Sequence, residues 1–551
     1  MELEDLARKY ALKNAVEYDG ECNPGAVIGQ LMQEVDEDPE TVQEVAGKVS
    51  SQVNQLSLEE QKEEIQEYEF EDEDEEEDPI PDLEDTEDGV KVRFAPNPNG
   101  PAHLGSVRGM VINGELKKKY DGELVLRFDD TDPETKRPLE DAYEMYKEDY
   151  DWLGYEVDEV VYSSDHFDKY IAHAEKLIEM GKAYVCECPH EKAKELKEKG
   201  EACEHRSRTP EENMKRWKDM RNGEIEEGEA ALKLKTDLDH KNPAIRDFFF
   251  FRIIEDADHP RTGNEYRVYP TLDFAGAIED HLMGTTHIFR GKDLSDSVER
   301  QKYVYKYFDW EYPNVRHWGR IKVSGFEAPM STSSMAEMIE NGELEGWDDP
   351  QCGTLRALRK RGFQPEAIKE FFLDMGVTDS DIEASVETLE TFNTRVIDDD
   401  ADRYFFVEDP IKITIEDAPE DLEADMRVHP EHPERGTRSP PLGRDGELEV
   451  YIDRQDLQNG FLRLKGLCNI ELEDGEAEYR EGDHTVALDK DADIIHWVPV
   501  TAEKAEVKMP NGEVKEGLLE PSDIEEGEIV QFERFGFVRH DTGNRYYYTH
   551  K

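Results

Sequence analysis

The sequence predicts a multidomain protein of class α/β plus β. A parallel-sheet domain is split by an insertion, followed by a helical connector and a C-terminal all-β region, and preceded by a helical extension. Three observations carry that prediction. Short β-type runs alternate with helical stretches over residues 90–185, and again from residue 269 to about 334, which is the spacing of βαβ units. From Arg403 onward the pattern becomes alternation of apolar and polar residues, the mark of half-buried antiparallel strands. Over residues 1–66 apolar side chains recur three and four apart, which lines them up on one face of a helix.

In chain order, Leu3, Leu6 and Ala7, then Val27, Ile28 and Leu31, then Val42, Val45 and Val49 mark the helical extension, 1–66. An acidic linker, 67–89, opens with Glu67-Tyr-Glu-Phe-Glu-Asp-Glu-Asp-Glu-Glu-Glu-Asp-Pro79 and cannot bury itself. Residues 90–185 form the first half of the α/β domain, with strands expected at 90–94, 124–128 and 159–162. The insertion is 186–268, and the second half is 269–345. Leu355, Leu358, Ile368, Phe371 and Phe372 give helical spacing to the connector, 346–400. Runs at 412–415, 448–452, 461–464, 494–498 and 529–532 give 401–551 the reading of an antiparallel barrel or sandwich.

The chain has 551 residues, with 67 Lys and Arg against 134 Asp and Glu, a net charge of −67. Acid at this density usually means disorder, but here it is spread over segments with apolar periodicity, so the chain is expected to fold. The balance fits a cytosol of very high salt, where counterions screen self-repulsion, and it points to a halophilic archaeon. No signal peptide or membrane-length apolar run is present, and six cysteines do not make a disulfide framework. A soluble, cytoplasmic protein is expected.

The segment richest in chemistry is Arg93-Phe-Ala-Pro-Asn-Pro-Asn-Gly-Pro-Ala-His-Leu-Gly-Ser106. A strand, a Pro/Gly turn and then a helix present backbone N–H groups and a helix N-terminus to a phosphate. Further on come Arg127-Phe-Asp-Asp-Thr-Asp-Pro133, Asp280-His-Leu-Met-Gly-Thr-Thr-His-Ile-Phe-Arg-Gly-Lys-Asp293 and Met330-Ser-Thr-Ser-Ser334. In this order and spacing they resemble the signature blocks of class I aminoacyl-tRNA synthetases, glutamyl/glutaminyl branch. The β-rich tail resembles the anticodon-binding barrels of the archaeal and eukaryotic type.

That resemblance implies a Rossmann-like catalytic domain, an acceptor-stem insertion and anticodon-binding barrels. It implies ATP with Mg²⁺ as substrate, L-glutamate, and tRNA-Glu as partner, with tRNA-Gln an open second acceptor, no membrane, and a monomeric enzyme. ATP would be held by Pro98, Asn99, Gly100, Pro101, His103, Leu104, Gly105 and Ser106 of the first loop and by Met330, Ser331, Thr332 and Ser333 of the second. Glutamate would be held by Arg93, Ala95, Asn97, Asp129, Leu272, Asp273 and Arg290. An arginine at 290 implies glutamate rather than glutamine, since a guanidinium grips a carboxylate through two parallel hydrogen bonds.

Two positions depart from the branch. Leu272 stands where a tyrosine is common. Thr332 and Ser334 stand where the second ATP loop usually carries lysines, and Lys292, Arg320 and Lys322 are the nearby cations that could substitute. These departures keep a catalytically silent tRNA-binding paralogue among the alternatives, beside a glutaminyl ligase. Separately, Cys186-x-Cys188 and Cys203-x-His205 have the donor types and spacing of a structural zinc site, and the branch carries a similar pattern.

Overall fold

The computed structural model describes residues 3–17, 20, 22–34, 39–65, 68, 78–443, 447–473 and 475–551. Apart from Tyr68, the expected acidic linker up to residue 77 lies outside the described residues. Two units emerge, Met1–Asp78 and Pro79–Lys551. In the first, helices Leu3–Glu17, Pro24–Glu34, Pro39–Val53 and Leu58–Glu64 pack Leu6, Leu12, Val27, Leu31, Val42 and Val49 into one core. The periodic residues of the sequence face inward, as a helical repeat requires.

In the second unit, strands Lys91–Phe94, Glu123–Phe128 and Glu159–Tyr162 pair in parallel in that order. Strand Glu123–Phe128 is buried from Leu124 to Phe128, as a sheet covered on both faces demands. Helix Leu104–Tyr120 crosses over with Val107, Met110, Val111 and Leu116 inward. It packs closely enough that a side chain at Gly109 would meet the Phe94 ring at 2.7 Å. The second half joins the first where Thr286 N donates to Lys91 O at 3.0 Å, just before strand His287–Gly291, which pairs in parallel with Asn314–Trp318.

The insertion differs from the expected boundaries. Its four-stranded antiparallel sheet runs Ala183–Cys186, Ala231–Leu234, Phe249–Ile253, Val268–Pro270. Both strands at the expected junctions therefore belong to the insertion's sheet. Short apolar runs at 183 and 268 carry no sign of their partners, so periodicity alone could not allot them.

The C-terminal region forms two seven-stranded sheets, and the 494–498 run is where expectation and structure part. It is broken at His496. Asp493–Ile495 pairs with Gly460–Leu464, and Trp497–Pro499 pairs with Leu448–Asp453, so one kinked segment forms both edges of a sheet and closes it. The other sheet is closed in the same way by Arg403–Tyr404 and Phe406–Val407, with Phe405 at the kink. Closure removes open edges. It also brings distant strands together in parallel, as for Glu506–Lys508 with Arg545–Tyr547, so the expected purely antiparallel pairing is replaced by a mixed one. Among the described residues no helix is long and apolar enough to cross a membrane.

Candidate active site

The first loop is held by backbone bonds on both sides. Leu104 N donates to Gly353 O at 3.0 Å, Leu355 N donates to Ala102 O at 2.9 Å, and Leu139 N donates to Pro98 O at 2.8 Å. His103 is the N-cap of helix Leu104–Tyr120, its Nδ1 accepting from Gly105 N at 3.1 Å. Ser106 Oγ accepts from His103 N at 3.1 Å and completes a capping box, a role any hydroxyl at 106 fills. The imidazole folds so closely over the helix start that a side chain at Gly105 would lie 2.9 Å from its ring. Burial lowers the pKa of His103. With Nδ1 occupied as an acceptor, the neutral ring carries its proton on Nε2 and offers it outward.

A cavity of about 670 Å³ opens at the carboxyl ends of the parallel strands, the place where an open α/β sheet binds its ligand. Gly105 and Ser106 line it together with Arg93, Ala95, Asn97, Asp129, Leu272 and Arg290. The other first-loop residues, Pro98, Asn99, Gly100, Pro101, His103 and Leu104, are not on its wall; they form the frame behind it. Asp273 is turned elsewhere. Its carboxylate pairs with Arg300 at 2.6 Å, outside the cavity lining, because a helix residue one position beyond Leu272 faces a different side.

Arg93, Arg127 and Arg290 are each the penultimate residue of a strand, and all are buried. Arg127 grips Asp129 at 2.7 and 3.2 Å, and Asn97 Nδ2 donates to Asp129 O at 3.0 Å. Arg93 Nε and Arg127 Nη1 both donate to Asp280 Oδ1, at 3.1 and 2.7 Å. Burial alone would raise the Asp280 carboxyl; the facing Arg93, Arg127 and Arg290 guanidiniums instead hold it at about 2. Arg290 donates to Gln301 Oε1 at 3.2 Å, and its buried Nε has no partner. Burial first, and then the neighbouring Arg93, lower its pKa. Such a group calls for an anionic acceptor. Sequence reasoning missed Arg127, Asp280 and Gln301, although the first two stand inside blocks it quoted. Their spacing gives no sign that they meet.

The second loop does not line the cavity. Ser331 caps helix Thr332–Glu340, Ser331 Oγ lies 2.9 Å from Ser333 Oγ, and Met330 packs toward Gly353. Thr332 approaches the first loop closely enough that a side chain at Gly100 would meet it at 3.1 Å. Of the substitute cations considered, Lys292 pairs with Asp381 at 2.7 Å, and Lys322 lies 3.5 Å from Glu383 and is largely exposed. Neither these nor Arg320 lines the cavity.

A second cluster sits at the root of the insertion. The donor atoms of Cys186, Cys188, Cys203 and His205 all lie within 4.8 Å of one another. Cys186 and Cys203 sulfurs are 3.8 Å apart, and Cys188 Sγ is 3.5 Å from His205 Nδ1. A tetrahedron with metal–sulfur bonds of about 2.3 Å has edges of about 3.8 Å, so three sulfurs and a nitrogen at these separations fit one zinc ion.

The chain resembles known proteins along nearly its whole length. Residues 89–399 match the family described as tRNA synthetases class I (E and Q), catalytic domain, and residues 401–491 and 494–541 match its two anti-codon binding domain families. The glutamate–tRNA ligase of Pyrococcus furiosus is 47% identical, over 98% of this chain and 98% of its own. That of Archaeoglobus fulgidus is 45% identical over 98% and 97%, and that of Methanocaldococcus jannaschii 45% over 98% of both. With an anion-seeking cavity at the strand ends and two closed β sheets behind it, the chain belongs to the class I tRNA synthetases of the E and Q family.

Proposed function

We infer that the protein attaches L-glutamate to tRNA in two steps. A carboxylate oxygen of the glutamate α-carboxyl attacks the α-phosphorus of ATP, the bond to the bridging oxygen breaks, and pyrophosphate leaves. A ribose hydroxyl at the tRNA 3′ end then attacks the acyl carbon, AMP departs, and the hydroxyl proton passes to solvent. There is little covalent work for the protein, which positions the reactants and neutralises charge.

The observation that carries this reading is the buried guanidinium of Arg290, whose Nε lacks a partner, on a cavity that also contains the start of the phosphate-type helix. A side-chain carboxylate at Arg290 completes its hydrogen bonds, and Asp129 supplies an anion for the substrate ammonium. His103 Nε2–H and the N-terminus of helix Leu104–Tyr120 serve the ATP phosphates, with Mg²⁺ bound by the triphosphate itself. An amide in place of the γ-carboxylate would leave the Arg290 charge unpaired, which disfavours glutamine. The matched relatives, all glutamate–tRNA ligases by name, support the same choice. Their near-complete coverage also counts against a silent paralogue.

Cys186, Cys188, Cys203 and His205 hold a structural zinc ion that ties strand Ala183–Cys186 to the turn Glu204–Ser207. One chain supplies cavity, insertion and anticodon-type domains, in keeping with a monomer. The deciding experiment is aminoacylation in molar KCl with labelled glutamate or glutamine and each cognate tRNA. Glutamate charged onto tRNA-Glu is expected. Charging of glutamine alone, or tRNA binding without charging, would overturn the reading, and the tRNA-Gln arm reports whether that acceptor is shared.

A further inference from the structure

Asp280 has no role in the reaction as written, and it is not on the cavity wall. Three guanidiniums nevertheless face it. Two are hydrogen-bonded to a single oxygen, Oδ1. The third, Arg290, has its Nη2 4.0 Å from Oδ2, which accepts no hydrogen bond. Asp280 thus bonds Arg93 and Arg127 and attracts Arg290 by charge alone. The difference is chemical. A two-bond salt bridge would consume the donors that Arg290 needs for a ligand carboxylate. A Coulomb attraction across 4.0 Å consumes none, and away from water it is only weakly screened.

The charge count follows the same logic. Arg93, Arg127 and Arg290 contribute +3, and Asp129 and Asp280 contribute −2, leaving +1. A zwitterionic amino acid with one further carboxylate carries −1 and balances it, whereas the corresponding amide carries no net charge. Without Asp280 the three buried guanidiniums would repel one another with only Asp129 beside them, and Arg290 would have no anion holding it at the cavity.

We propose that Asp280 is a positioning residue for amino-acid selection. It gathers the three arginines, leaves the donors of Arg290 free, and sets a single excess positive charge on the site. This rests on the reading of the cavity as the glutamate site, and wild-type charging of glutamate in the same assay tests that reading separately.

The experiment measures tRNA charging by wild type and Asp280→Asn, varying glutamate and ATP independently. The expected result is a KM for glutamate raised about tenfold or more, with the KM for ATP within about twofold. An unchanged glutamate KM, or an equal rise for ATP, overturns the proposal, since a merely structural defect would not separate the two substrates. If Asp280→Asn does not fold, the pair Asp280→Asn with Arg290→Gln restores the single excess charge. Its melting temperature must then return toward wild type; failure to do so also overturns the role.

Discussion

At the scale of single residues, the site is a set of donors without a matching acceptor. Replacing Arg290 with glutamine removes the charge while keeping a donor. The KM for glutamate should rise about 100-fold, the worth of a buried charge-assisted pair, and glutamine should become the less disfavoured substrate; labelled-substrate charging assays measure both. His103 acts on the other substrate. His103→Ala should lower kcat by roughly 100-fold or more with little change in glutamate KM. Its pH behaviour follows from its burial. With the folded pKa below histidine's ordinary value of about 6.5, the unfolded chain binds the proton more readily. The contribution of His103 to stability is therefore complete above about 6.5 and is lost as pH falls through that value toward the folded pKa. The acid limb of kcat/KM for ATP should lie below 6.5, because protonation removes the Nδ1 lone pair that accepts from Gly105. Much of this site was legible in the sequence, since a Pro/Gly turn before a helix and an arginine in an apolar run are local signals. Asp273 was misplaced and Asp280 overlooked for one reason: which of two acids on a helix faces the cavity is decided by rotation against neighbours that the chain reaches 150 to 190 residues away.

At the scale of elements, two devices hold the periphery together. The cysteine–histidine cluster joins the first strand of the insertion to the turn after its first helix. Metal analysis should return about one zinc per chain, and stripping it with a zinc-selective chelator should lower tRNA charging together with the melting temperature; a chain with no zinc and full activity would refute the site. The other device is the pair of kinks that close the β sheets. The rings of Phe405 and His496 stack with centroids 4.3 Å apart, so the two closures rest on one another. Phe405 is fully buried, and Phe405→Ala should cost about 3–5 kcal/mol, read as an earlier unfolding transition in denaturant. The strands themselves were visible as alternating runs. The kink was not, because 494–498 reads as one continuous strand and only the positions of its two partners break it.

For the whole molecule the governing quantity is charge. Even if every Lys and Arg paired with one acid, 134 − 67 = 67 carboxylates would remain. At about 1 M salt the screening length falls to about 3 Å, against about 10 Å at 0.1 M, so mutual repulsion should grow steeply on dilution. Melting temperature and charging activity should both fall as KCl is lowered from molar to about 0.1 M; a chain equally stable in dilute buffer would show that the excess acid is not tuned to salt. The sheet of the insertion has one more implication, for protein engineering. Its last strand, Val268–Pro270, carries Tyr269 and Pro270, which are also wall residues of the amino-acid cavity. The insertion is therefore no exchangeable cassette. A chimera spliced at 186 and 268 would sever two strands and import a foreign wall, whereas cuts before Ala183 and after Pro270 would move the tRNA-facing module only by carrying part of the amino-acid site with it.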